Sequence, residues 1–271
     1  MTRIATIARN PIDSPNMTAN DAAILQCVTA ALAQRGAEVI SIGDDEEIPA
    51  GTQVVCTMSR TAATLERLRQ AREQGIIVVN TPQAIANCSR RRFMEILRRN
   101  DIPQPPFKTV NDATEIDGNI FPCWIKKADG WSCHKDDVSY SQTTKEATAT
   151  IEEMASRGIT AYIQMQHCPG DIIKFYGIGN NFFHYCYPAS GKFGKEVING
   201  KTKYHHFDNA KLRSIAQKAA LAIGLQIYGG DAIVTPQGDI FIIDINDFPS
   251  FTAIRETAAI EIANLLMNKT K

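Results

Sequence analysis

The chain has 271 residues, 44% of them hydrophobic and 21% charged, which is ordinary globular usage with enough material for a buried core in one large domain or two to three lobes. Lysine plus arginine equals aspartate plus glutamate at 29 each, so no global field recommends nucleic acid or an anionic membrane as the partner. Seven scattered cysteines without a CxxC pair argue against a disulfide framework or structural zinc, the opening MTRIATIARNPIDSPN lacks an apolar stretch of signal-peptide length, and no run of eighteen apolar residues occurs, so a soluble, cytoplasmic protein is expected.

The first eighty residues alternate short β-rich runs with amphipathic ones: RIATIAR (3–9), NDAAILQCVTAALAQRG (20–36), AEVISIG (37–43), TQVVCTM (52–58), TAATLERLRQAREQG (61–75) and IIVVN (76–80). Strand, helix, strand at this spacing predicts parallel βαβ units. Asn20 is the predicted N-cap of the first helix, with Gly36 and Gly75 as helix stops. No GxGxxG follows the first strand, so a dinucleotide site has no support.

A boundary is expected near residue 82. Beyond it, TPQAIANCSRRRFMEILRRNDIPQPP (81–106) reads as a helix with a Phe93, Ile96, Leu97 stripe closed by prolines. A strand FPCWIKKA (121–128), an irregular loop DGWSCHKDD and a helix (143–158) follow, and then a β-rich half: TAYIQMQ, DIIKFYGIG and NFFHYCYPA. A helix (209–224), a final hairpin and a terminal helix end the chain. The expected division is an N-terminal βαβ lobe over 1–82, a central α+β segment over 83–158 and a C-terminal β-rich segment over 159–271.

The final hairpin carries the sharpest chemical signal. YGGDAIVTPQGDIFIIDIN turns at TPQG, with proline and glycine where a type I turn takes them. Its register predicts Asp231 opposite Asp244, with Asn246 on the same face two residues on; a slip of one residue would turn Asp231 away. Two carboxylates and an amide oxygen on one face form a hard-oxygen set of the kind Mg²⁺ accepts when phosphate oxygens and water complete the octahedron. The plain alternative is a strand end whose Asp and Asn cap a turn into Pro249.

Over residues 76–265 the chain resembles the ATP-grasp superfamily, whose members end with an acidic strand residue, a turn, and then a Glu-x-Asn or Asp-x-Asn beside a proline. The resemblance implies an ATP-grasp fold, α/β and α+β, preceded by a parallel βαβ lobe, with ATP between the last two segments and Mg²⁺ on Asp231, Asp244 and Asn246. It also implies phosphate contacts from Arg90, Lys126 and Lys174. Lys126 is chosen over Lys127 because strand alternation points the two apart. Adenine would lie at Gln164 and the backbone of Met165, Gln166 and His167. The loop 129–137, with no periodic anchor, is expected to act as a lid.

The acceptor stays open between two classes. Most of the superfamily are ligases that phosphorylate a carboxylate and pass the acyl group to an amine, and Arg255, just after the metal strand, could clamp such a carboxylate or form a surface ion pair. Arg90, Gly130 followed by His134, Lys174 and the DIN motif are similar instead to the inositol trisphosphate kinase branch, where His134 and Lys174 would meet substrate phosphates. The stretch Lys192, Lys195, Lys201, Lys203, His205, His206 could add anion contacts or be a solvated rim. A non-catalytic ATP-binding module is the third reading. The expected partner is a small acceptor, a carboxylate or phosphorylated polyol, with a homodimer as the default assembly.

Overall fold

The computed structural model describes residues 1–189 and 198–270, which leaves Lys192 and Lys195 of the basic stretch outside the described residues. Three four-stranded sheets organise the chain. The first is parallel and contains β1 (Arg3–Ile7), β2 (Glu38–Ile42), β3 (Val54–Thr57) and β4 (Ile77–Val79) in the order β2-β1-β3-β4. Helices α1 (Thr18–Ala33) and α2 (Ala62–Glu73) complete this lobe. All four residues of β3 are buried, as a parallel strand covered on both faces requires. One face packs Ile4, Val54 and Cys56 with α1, and the other packs Ala5, Ile7 and Val55 with Leu68 of α2. Each fully buried aliphatic side chain here contributes about 1.5–3 kcal/mol.

Helix α1 begins at Thr18, so Asn20 is inside the helix rather than its N-cap, and its side chain accepts a hydrogen bond from Arg255. The predicted helix after residue 81 is two. Thr81 caps α3 (Pro82–Asn87), whose proline occupies the first turn, and the chain breaks at Cys88–Ser89 before α4 (Arg90–Arg99). Phe93, Met94 and Leu97 are the buried face of α4, with Ile96 only partly covered.

The second sheet is antiparallel: β5 (Phe107–Val110), β6 (Cys123–Lys127), β7 (Val138–Ser141) and β8 (Tyr162–Gln166), ordered β5-β8-β6-β7. Helix α5 (Thr144–Ser156) packs Ala147, Ile151 and Met154 on one face against Cys123, Ile125 and Tyr162. Strand β8, assigned from sequence to the third segment, pairs with β5 and β6 in this sheet.

The third sheet runs β10-β9-β11-β12, all antiparallel: β9 (Asp171–Ile178), β10 (Phe182–Cys186), β11 (Ile227–Val234) and β12 (Ile240–Asp247). Helix α6 (Asn209–Ile223), stopped by Gly224 at φ +93°, lies with α4 against the face that carries Phe175 and Ala232. The last helix, α7 (Arg255–Asn268), packs instead on α1, so the chain's end closes the first lobe onto the third sheet. No described helix is long and apolar enough to cross a membrane.

Candidate active site

The hairpin β11–β12 turns at Thr235–Gly238, where the Gly238 N–H donates to Thr235 O, the Thr235 N–H donates to Asp239 O, and Gly238 takes φ +83°. Counting back from that turn, Asp231 would face Ile243. A register shift between Asp231 and Ala232 moves it onto Asp244. The predicted pairing of Asp231 with Asp244 is therefore found, and a β-bulge produces it, the device that re-aims side chains at functional edges. Asn246 faces Gly229 two residues further on. Gly229 and Gly230 keep the strand bare here: a methyl on Gly230 would overlap the Asp244 carbonyl oxygen and the Phe175 ring.

Lys174 on β9 pairs with Asp231 on β11, which pairs with Asp244 on β12, so the three form one row across three strands. Lys174 Nζ is 3.2 Å from Asp231 Oδ1. Asp231, with the burial of the lysine opposing it, holds the Lys174 ammonium above its ordinary value. Asn246 Nδ2 donates to Asp244 Oδ2 at 3.4 Å, which directs the amide oxygen the other way. Asp231 and Asp244 on one face, with the Asn246 amide beside them, have the donor chemistry that a hard divalent cation takes. Among the described residues no group of three or more His, Cys, Asp or Glu side chains is placed to hold a metal ion.

Arg90 marks the junction of the second and third sheets. It opens α4, donates from Nη1 to Lys127 O at 2.7 Å and from Nη2 to Ser132 Oγ at 3.2 Å. Burial lowers its proton affinity, and the Asp244 and Asp137 carboxylates oppose that shift. Arg90 is thus brought into the field of the row on β12. Lys126 is buried and shares a sheet face with Trp124 and Ala128, its Nζ 3.4 Å from Met165 Sδ, whereas Lys127 turns its Nζ to Trp131 O. The alternation expected for this pair is present.

Gln164 is not in this group. It pairs with Ile125, on the face opposite Lys126, and is wholly buried. Its Nε2 donates to Asp117 O and Ile120 O, and its Oε1 accepts from the Asp117 amide. The side chain is an anchor for the loop before β6. The amides of Gln166 and His167 are also engaged, on Pro106 O and Pro122 O, so contacts from this segment to a ring would rest on Met165 and on main-chain carbonyl oxygens.

His134 is exposed and caps a short turn: its Nδ1 accepts from the Asp136 amide. The loop 129–137, expected to lack anchors, has several. Buried Asp137 accepts from the Cys133 and His134 amides and ion-pairs Arg157 at 2.7 Å. Arg255 opens α7 and donates to Asn20 Oδ1 at 2.9 Å, at the seam with the first lobe.

Sequence reasoning missed a buried ionic cluster at that seam. Asp247, fully buried at the end of β12, is held by Arg60 (Nη2 to Oδ1, 2.6 Å) and by Arg9 (Nη1 to Oδ2, 3.9 Å), and Arg9 Nε reaches Asp21 Oδ2 at 3.2 Å. Burial first and Arg60 second bring the Arg9 pKa down to about 10, against the pull of Asp247 and Asp21. The available signal was position: Arg9 and Arg60 follow β1 and β3 at the carboxyl ends of parallel strands, where open α/β sheets form their crevice.

No protein-family model matches the chain. A protein of Picosynechococcus named "Probable alpha-L-glutamate ligase" is 27% identical over 212 residues, covering 74% of this chain and 69% of that protein. One of the same name from Shewanella halifaxensis is 24% identical over 204 residues, 71% of this chain but 44% of that protein. Among solved structures, a RimK domain ATP-grasp protein from Sphaerobacter thermophilus superposes with TM-score 0.71 at 17% identity, covering 98% of this chain and 100% of that one. D-alanine–D-alanine ligase from Bacillus anthracis gives TM-score 0.72 at 11% identity, with coverage of 99% and 97%. The three sheets, their order and these likenesses agree: the chain has the ATP-grasp fold.

Proposed function

We propose that the chain is a Mg-ATP-dependent ligase that activates a carboxylate, of the glutamate type, as an acyl phosphate and joins it to an amine. The observation that carries this reading is the row Lys174, Asp231, Asp244 with Asn246 beside it, on one face of three adjacent strands and in the field of Arg90. The glutamate-ligase names of the relatives support the acceptor class. His134, the residue behind the polyol-kinase alternative, accepts from the Asp136 amide through Nδ1, and the relatives' names favour the ligase reading.

In the first half-reaction a carboxylate oxygen attacks the γ-phosphorus of ATP, the bond to the β-phosphate oxygen breaks, and ADP leaves. In the second an amine nitrogen attacks the acyl carbon, the carbon–oxygen bond to phosphate breaks, inorganic phosphate departs, and the amine proton goes to phosphate or solvent. Asp231, Asp244 and Asn246 would hold Mg²⁺, which neutralises phosphate charge. Arg90, Lys126 and Lys174 bind phosphate oxygens and stabilise charge that builds up as the γ-phosphoryl transfers. Met165 and the main-chain carbonyl oxygens of Gln166 and His167 would border the adenine, and Arg255, which donates to Asn20 at the seam with the first lobe, would meet the acceptor carboxylate.

The test is incubation with ATP and Mg²⁺ and either glutamate with a panel of amines and peptides or inositol phosphates, with ADP, phosphate and product mass followed together. Ligation yields phosphate and an amide in equal amounts. A phosphorylated polyol without free phosphate would make the protein a kinase, and nucleotide binding without turnover under every condition would make it a binding module.

A further inference from the structure

The guanidinium of Arg60 has two partners from different parts of the molecule. Its edge grips Asp247, through Nη2 at 2.6 Å and Nε at 2.8 Å from Oδ1. Its face lies over the Trp131 indole, with Cζ 3.9 Å from the ring centroid. Arg60 belongs to the first lobe, Asp247 follows candidate metal residue Asn246 at the end of β12, and Trp131 sits in the loop 129–137. A second contact joins the same loop to the first lobe, with Cys133 Sγ 3.4 Å from Ile12 O. The loop in turn touches the candidate phosphate residue Arg90, from which Ser132 Oγ accepts, while Trp131 O accepts from Lys127 on the other face of β6.

We propose that Arg60 is a positioning residue that latches the loop 129–137 beside the candidate site: its ion pair with Asp247 fixes the guanidinium plane, and the plane seats Trp131. The planar, weakly hydrated guanidinium can stack while its N–H edge stays on a carboxylate, and lysine cannot do both. The Arg60 side chain is 9% exposed and Asp247 is fully buried, which strengthens cation–π attraction relative to an open surface. The latch ties loop closure to the metal strand, so a nucleotide that orders β12's end also orders the loop that excludes water from its phosphates. The inference rests on the ligase reading only for its activity readout.

The chain has two tryptophans, so Trp124→Phe leaves Trp131 as the sole reporter. In that background Arg60→Ala and Arg60→Lys are each expected to shift Trp131 emission to longer wavelength before any ligand is added. Trypsin cleavage after Lys135 is expected to rise about 2- to 30-fold in Trp131→Ala, a variant that leaves the Arg60–Asp247 pair in place. Trp131→Phe should recover most of the protection. Mg-ADP should slow cleavage in the unmodified protein and fail to do so in Trp131→Ala. Where turnover is found, Trp131→Ala and Arg60→Ala should raise KM for ATP alike and the double variant should be no worse than either. Emission indifferent to Arg60, or cleavage unchanged in Trp131→Ala, overturns the latch whatever the reaction turns out to be. A protected loop that closes normally with no ligase turnover would instead count against the function and leave the latch standing.

Discussion

Lys174 and Asp231 face each other directly on β9 and β11, and their charged groups lie 3.2 Å apart. The row that would receive a divalent cation therefore already contains a counter-charge for one of its two carboxylates. A cation entering between Asp231 and Asp244 competes with Lys174 for Asp231, and phosphate oxygens arriving with it offer the ammonium a second anion. Two closely set carboxylates are otherwise costly to ionise together, so this exchange lets the strand row fold without metal and still meet one.

The first expectation follows from that pair. Lys174→Met leaves Asp231 without its ammonium in a largely shielded place and should destabilise the protein by about 1–3 kcal/mol. The folded state raises the lysine above its ordinary 10.5, so the stabilisation is complete below that value and disappears as pH climbs through the higher folded one. The difference in unfolding free energy between parent and variant, measured by urea titration, should stay level from neutral pH to 10.5 and shrink above it. A difference already gone at mildly alkaline pH would contradict the assignment.

Asp244→Asn keeps the shape of the side chain opposite Asp231 and removes one charge. Folding stability is expected within about 1 kcal/mol of the parent, while ATP turnover should fall by at least about 100-fold. Thermal unfolding and turnover measured on the same preparation separate the two effects. Near-normal turnover in a folded variant would remove the cation from this row.

The parallel lobe was legible from residues 3–80 because each apolar run there is bounded by its own glycine or capping residue, and the structure keeps all four strands. The hairpin was legible as well, but the bulge that sets Asp231 on Asp244 was not, because no residue in IFIID announces which position will be extra. Gln164 shows a different limit. A glutamine after an apolar strand fits either sheet face, and only pairing with Ile125 reveals that it turns toward the Asp117 loop. Strands β5 and β7 were unread because FKTV and VSYS are short and polar, and become strands only as partners of β8 and β6. The Arg9, Arg60, Asp247 cluster spans residues almost 240 apart, beyond any local pattern.

Gln164 therefore supports a contrast between structure and nucleotide binding. Gln164→Leu would leave the Asp117 amide and the Ile120 carbonyl without their side-chain partner, while the Asp117 carbonyl keeps only the Ile120 N–H. Buried groups stranded in this way cost about 1–3 kcal/mol. Affinity of the folded variant for a fluorescent ATP analogue, taken well below its unfolding temperature, should change less than about threefold, since that change corresponds to under 1 kcal/mol. A large loss of affinity with unchanged stability would return Gln164 to the adenine.

Asp137 decides how far the loop beside the cleft depends on charge. Burial pushes its carboxyl upward, yet the hydrogen bond from Arg157 and those from the His134 and Cys133 amides together hold it below the ordinary 3.8. A depressed carboxylate stabilises fully above its unfolded value and loses that contribution as pH falls through the lower folded one. Amide exchange at Cys133 and His134, referred to the intrinsic rate at each pH, should accordingly stay protected from neutrality down to 3.8 and open only below. Asp137→Asn keeps the size of the side chain while removing the charge that three donors share, and should speed exchange at both amides about 10- to 100-fold at neutral pH. Trypsin cleavage after Lys135 should accelerate with it, whereas the parallel lobe, which Asp137 does not touch, should keep its exchange rates. Equal acceleration in both places would mean that the substitution loosens the whole fold, and the loop's own anchoring by Asp137 would have to be given up.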